Sequence, residues 1–146
     1  MSEAEIGYGA KFQAGDGGSP EEFTDIAEVT SISGPGFSAE SVDLTHLASP
    51  DNYMEFKPGM KNAGEVTIEG RWIPTEATLN DDAGGLLDRF EKQSRDNYKI
   101  LFPDGSDIEF TGFITSFEPS IGGHSDPVNL SVTFKVTGKP TLTQAA

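Results

Sequence analysis

The segment VNLSVTFKVTG, residues 128–138, constrains the fold more than any other stretch of this chain. Leu130, Val132, Phe134 and Val136 alternate with Asn129, Ser131, Thr133 and Lys135. A two-residue period places the four apolar side chains on one face of a strand, whereas a helix would scatter them around its circumference. EVTIEGRW, 65–72, repeats the pattern, with Val66, Ile68 and Trp72 on one face and Glu65, Thr67, Glu69 and Arg71 on the other. Strands with one dry face need a sheet folded over a core. Seventeen glycines and nine prolines supply the turns such a chain needs, so a mainly β fold is expected.

The chain has 146 residues and is expected to form one domain, 1–146. YKILF, PDGSD and IEFTGFITSFEP read as a hairpin, with Asp104-Gly105 providing the turn. In TDIAEVTSIS, Ile26, Val29 and Ile32 are three apart, which breaks alternation and implies a bulge. SVDLT, 41–45, is a short strand, GPGFS a turn and SIGGHSDP a loop. GYGAKFQ is a possible strand within an N-terminal arm, 1–23, whose AGDGGSPEEF stretch is too rich in Gly and acid to pack. The tail, 139–146, is expected to fray. One helix is expected over about 81–95, from Leu86, Leu87 and Phe90 at helical spacing and the four-apart pairs Asp88–Lys92 and Glu91–Arg95. Asn80 or Asp81 can cap it, and Gly84 and Gly85 each cost about 1 kcal/mol relative to Ala. The helix therefore depends on packing against a sheet.

One stretch contradicts itself. THLASPDNYMEFKPGMKNAG, 45–64, is punctuated by Pro50, Pro58, Gly59 and Gly64 and reads as a long loop over about 46–64. Yet it carries Leu47, Tyr53, Met54, Phe56 and Met60. Long loops without periodicity are either functional or disordered, and Tyr, Phe and Met are enriched in the cores of interfaces. The segment either folds back on its own sheet or is covered by another molecule.

The formal net charge of −14 excludes nucleic-acid binding through phosphate neutralisation and disfavours an anionic membrane. With no cysteine, disulfides and thiolate sites are absent. MSEAEIGYG has neither the basic nor the apolar region of a signal peptide, and no apolar run approaches about 18 residues. Asn129-Leu130-Ser131 matches a glycosylation sequon by chance, inside a strand. His46 and His124 lie in loops away from any metal pattern. NDDAGGLLDRFE, 80–91, matches a calcium loop at Asp82, Gly85, Leu87 and Glu91, but Asn80 and Gly84 are poor at positions one and five. Glu65, Glu69 and Glu109 fall on outer strand faces and read as solvated. No catalytic, cofactor or metal residues are assigned.

IAEVTSISGPGFS at 26–38, SVDLTHL at 41–47, FKPGMKNAGEVTIEG at 56–70 and GLLDRFEKQSRDNYKILFPDGSDIEFTGFITSFEP at 85–119 together resemble the major tail tube proteins of phages with long, non-contractile, lambda-like tails. The resemblance covers about residues 8–138. It implies a two-sheet β-sandwich or barrel flanked by one helix, and a structural virion protein without catalysis or cofactor. It implies hexameric rings stacked into a tube, around a tape-measure protein during assembly and conducting DNA afterwards without specific binding. Tail-tip or baseplate proteins and a tail terminator are further implied partners, with assembly in the host cytoplasm and final residence in the virion tail, away from any membrane. By position, the family's extended contact loop is Leu47 to Gly64, so Leu47, Tyr53, Met54, Phe56, Pro58 and Met60 are expected at subunit and ring interfaces. The N-terminal arm, about Ile6 to Phe23, would contribute Ile6, Tyr8 and Phe12. No C-terminal immunoglobulin-like domain is expected. Rival readings are a tube protein of a secretion or contractile injection machine, and a soluble β-sandwich binding module or glycosidase.

Overall fold

A computed structural model describes residues 9–18 and 20–144. Nine strands and one helix follow in the order β1 (Lys11–Gly15), β2 (Phe23–Asp25), β3 (Val29–Ser33), β4 (Ser38–Asp43), β5 (Phe56–Asn62), β6 (Glu65–Arg71), α1 (Leu86–Lys92), β7 (Asp96–Leu101), β8 (Asp107–Ile121) and β9 (Val128–Thr143). The expected architecture, mainly β with two sheets and one helix, is observed, and the two sheets are very unequal. Seven antiparallel strands form the body in the order β2-β1-β7-β8-β9-β6-β3, while β4 and β5 form a separate two-stranded ribbon.

Alternation builds the body as read from the sequence. Leu130, Val132, Phe134 and Val136 of β9 are buried, as are Val66 and Ile68 of β6. The rings of Phe12 on β1 and Phe134 on β9 lie 5.1 Å apart, centroid to centroid. Two strands, β7 and β8, separate them in the sheet. In a flat sheet, three steps of about 4.8 Å would hold them about 14 Å apart. The sheet therefore coils until its inner face meets itself, without closing into a barrel: β2 and β3 remain its edges. Bulges between Glu109 and Thr111 and between Ile114 and Ser116 supply part of the bend. The centre is an aromatic cluster of Phe12, Tyr98, Phe110 and Phe134, with rings 4.6–6.4 Å apart.

The structure corrects several boundaries. Lys11–Gly15 is not part of a free arm but an internal strand between β2 and β7, because Phe12 and Ala14 point inward and are buried. TDIAEVTSIS is two strands, not one. Ile26 is buried in the turn between them, Glu28 has φ 62°, and the expected bulge lies between Val29 and Ser31. The tail does not fray at 139: β9 runs to Thr143, with Thr141, Leu142 and Thr143 opposite Glu109, Ile108 and Asp107. The helix is shorter than expected and starts at Leu86. Gly84 has φ 89° and Gly85 is extended, so the chain cannot become helical before them. Asn80 does not cap the helix. Its carboxamide oxygen accepts from Asp82 N at 2.9 Å, and the helix's first amides, Leu86, Leu87 and Asp88, donate to the carbonyls of Thr78, Leu79 and Asn80. The Asp88–Lys92 pair forms at 3.2 Å. Arg89 fixes the helix to the body, donating to Gly15 O at 3.0 Å and pairing with Asp96 at 3.3 Å.

Candidate subunit interface

The segment expected as a loop over 46–64 is irregular over 46–55, but 56–62 is a strand that pairs with 38–43 in a β-ribbon that leaves the body, turns and returns. Its root is set by glycines. Gly34 has φ 102° and Gly64 φ 74°. A Cβ on Gly34 would collide with the Glu65 carbonyl, and one on Gly64 with the Gly36 carbonyl. The outgoing and returning chains thus cross at backbone contact, which side chains larger than hydrogen would forbid. Val136 N donates to Gly64 O at 3.1 Å and ties the root to β9.

Pairing in the ribbon runs from Ser38 opposite Asn62 to Asp43 opposite Phe56, with a bulge between Ala39 and Ser41. Pro58 and Gly59 made this strand illegible in the sequence. The ribbon tolerates them because both of its strands are edges, and Pro58 sits opposite Ser41 beside the bulge, where a missing donor costs least. Beyond Asp43 the tip is stapled by its own polar groups. Ser49 Oγ donates to Glu55 Oε2 at 2.7 Å, Glu55 N donates to Thr45 Oγ1 at 2.8 Å, and His46 Nε2 lies 3.3 Å from Glu55 Oε2. A single 3-10 turn, Pro50–Asn52, reverses the chain. Thr45 hydrogen bonds, from side chain and backbone, hold the Asp43 carboxyl below the usual carboxylate range.

The tip spends its polar atoms inward and turns its apolar side chains out. Leu47 is fully exposed, Tyr53 is 76% exposed and Met54 62%. Phe56 and Met60, on β5, are likewise exposed, as is Pro58 between them. The residues expected at an interface from 46–64 are therefore gathered on one projecting element. The others differ. Phe12 is completely buried in the aromatic core and cannot be a contact residue in this fold; Ile6 and Tyr8 lie outside the described residues. The sequence reading also missed three exposed apolar residues on the same arm, Phe37, Val42 and Leu44. Val42 and Leu44 alternate with polar neighbours in the segment expected as a short strand, 41–45. Alternation identifies a face but not what the face meets.

Among the described residues no group of three or more His, Cys, Asp or Glu side chains could hold a metal, and no polar or charged residue is fully buried. The described residues thus form a coiled β body carrying an exposed apolar arm. The chain belongs to the lambda phage tail tube protein family, whose model matches residues 8–143. It is a structural protein of a phage-type virion tail tube. Comparison with curated proteins finds no match. Solved structures with this fold include the tail of an empty gene transfer agent particle, at 20% identity and a TM-score of 0.76, with 97% of this chain and all of that one covered. The SPP1 tail tube matches at 13% identity and TM-score 0.69, over 97% of this chain and 80% of that one. The sheath–tube complex of an extracellular contractile injection system matches at 14% and 0.70, over 99% and 95%. At these identities the likeness is one of fold. No helix among the described residues is long and apolar enough to cross a membrane.

Proposed function

We propose that the protein forms rings of six that stack into the tail tube, and that the 38–62 arm makes the contacts between copies. The observation that carries this reading is the arm itself: a preformed ribbon that exposes Leu47, Tyr53, Met54, Phe56 and Met60 together. The gene transfer agent tail that shares the fold has C6 symmetry, which supports six copies per ring. The tube is a conduit for DNA, which passes without specific binding because each copy carries a net charge of −14. The role is non-catalytic. Its partners are a tape-measure protein in the lumen, tail-tip or baseplate proteins at one end and a terminator at the other. A contractile injection tube has the same fold, and the match to the lambda tail tube family favours the phage tail.

The energetics favour assembly through many arms at once. Burying one large apolar side chain yields about 1.5–3 kcal/mol, whereas bringing two subunits together costs about 4–15 kcal/mol. A single arm binds weakly. Several engaged on one ring act as a multivalent contact. Mutual repulsion opposes assembly and is screened within about 10 Å at 0.1 M salt. Negative-stain electron microscopy at rising protein and salt concentration tests the reading. Tubes with a central channel, more complete at about 0.5 M salt, where charges are screened, than at low salt, are expected. Monomers under every condition, including co-expression with a tail-tip complex, would overturn it.

A further inference from the structure

The arm has a donor end and an acceptor end, and the geometry points to the docking of one copy's arm tip in a groove at the root of the next copy's arm. The inference rests on the proposal that the protein assembles with itself, and adds where the tip goes. At the root, Phe37, just before the ribbon, and Met60 on it line an open hollow of about 610 Å³ together with Ala63, Val136 and Pro140. Phe37 is 66% exposed and Met60 79%, so the described residues leave the hollow uncovered.

Two observations select the occupant. The first is charge. Lys61 and Lys139 flank the hollow, and none of the residues lining it is acidic. In a chain with ten basic residues against twenty-four acidic ones, that is an unusual local balance. Neither lysine has an ion-pair partner among the described residues. The tip has the reverse character. Between 46 and 55 it carries the exposed Asp51, and Glu55 whose carboxylate is held by Ser49 and His46, and no Lys or Arg, around the exposed Leu47, Tyr53 and Met54. Apolar meets apolar, with acid opposite lysine. Such complementarity sets register and partner choice more than affinity, while bulk salt still relieves the repulsion between whole molecules.

The second observation is reach. Four residues of β5, Phe56 to Gly59, separate the tip from Met60 at the hollow and span about 13 Å at about 3.3 Å each, and their pairing with β4 holds the tip away from the root. A chain cannot fill its own hollow with its own tip. Donor and acceptor are different patches on the same molecule, so the contact is heterologous: each copy gives one arm and receives one. Repeated, it either closes a ring or propagates along a stack. An assembly built this way ends with bare hollows on one side and bare arms on the other. The two ends therefore call for partners of opposite character: one presenting an apolar acidic segment, the other a lysine-flanked apolar groove.

The absence of cysteine makes the test direct. Ala48→Cys marks the tip, Ser38→Cys the rim of the hollow beside Phe37, and Ser125→Cys the distant β8–β9 turn; all three positions are exposed. Mixed Ala48→Cys and Ser38→Cys proteins, assembled and treated with a short bismaleimide, should give a covalent dimer. Ala48→Cys mixed with Ser125→Cys should not, and a chain carrying both Ala48→Cys and Ser38→Cys should give a ladder of multimers. Lys61→Glu with Lys139→Glu should lower the 48–38 cross-link about tenfold. Normal tubes without the 48–38 cross-link, or with 48–48 cross-links instead, would overturn the docking and leave the assembly reading intact. An unchanged cross-link yield in the Lys61→Glu, Lys139→Glu protein would overturn the charge selection. Failure of tubes and cross-links together would overturn both.

Discussion

The body and the arm of this protein use the same side chains to opposite ends. In the body, Phe12, Tyr98, Phe110 and Phe134 are buried within one cluster supplied by four strands. On the arm, Tyr53, Phe56, Leu47 and Met60 are exposed, and the polar groups around them are hydrogen bonded to one another. An isolated two-stranded ribbon is marginally stable in water. This one is held at its root by β9 and at its tip by the Thr45–Ser49–Glu55 network, and not by a core of its own. The body has realised most of its hydrophobic free energy within one chain, although Ile121 and Leu142 stay exposed, whereas the arm's is available for association. The proposed interface rests on this contrast.

The sharpest way to break that contrast is to remove an aromatic from each region. Phe134→Ala in the core should cost about 3–5 kcal/mol of stability, measured by urea unfolding of the monomer. A loss under about 1 kcal/mol would mean that the ring cluster does not hold the body together. Changing both Tyr53 and Phe56 to Ser should leave monomer stability within about 0.5 kcal/mol of wild type, as for other exposed positions. The same double variant should lose tube formation in the electron microscope. Tubes appearing at the wild-type rate would end the case for the arm.

A smaller effect sharpens the description of the core. Among the described residues no hydrogen bond of ordinary length reaches the buried Tyr98 hydroxyl, and Arg89 gives it only a weak polar contact; such an arrangement costs about 1–3 kcal/mol of desolvation. Burial pushes its pKa up to about 12; Asp96 adds to the rise, and the nearby Arg89 opposes it. The unfolded chain ionises near pH 10, so the folded state holds the proton more tightly. Stability from this group is complete below pH 10 and falls as pH rises toward about 12. Tyr98→Phe should stabilise the protein by about 1 kcal/mol at pH 7 and flatten its alkaline unfolding between those values. A clear loss of stability at pH 7 would show that the hydroxyl has a partner.

Much of the body was legible because a period of two is a local property. The inward residues of β6 and β9, the Asp104-Gly105 hairpin and the bulge after Ile26 follow from spacing and turn chemistry alone. The helix was legible in kind but not in extent, since Gly84 and Gly85 set its start through backbone geometry. The apolar content of 46–64 was also legible, and with it the expectation of a contact surface. Tertiary structure decided the rest. Phe12 and Tyr53 are both aromatic residues in glycine-punctuated segments, and composition treats them alike. Phe12 is inside because β1 pairs with β7, and that pairing joins residues about 90 positions apart. Tyr53 is outside because the Gly34–Gly64 crossing directs the ribbon away from the sheet. Strand pairing and chain crossing are long-range backbone contacts. A local period can say which side chains share a face, but the path of the whole chain decides whether that face meets its own core, the solvent or another copy.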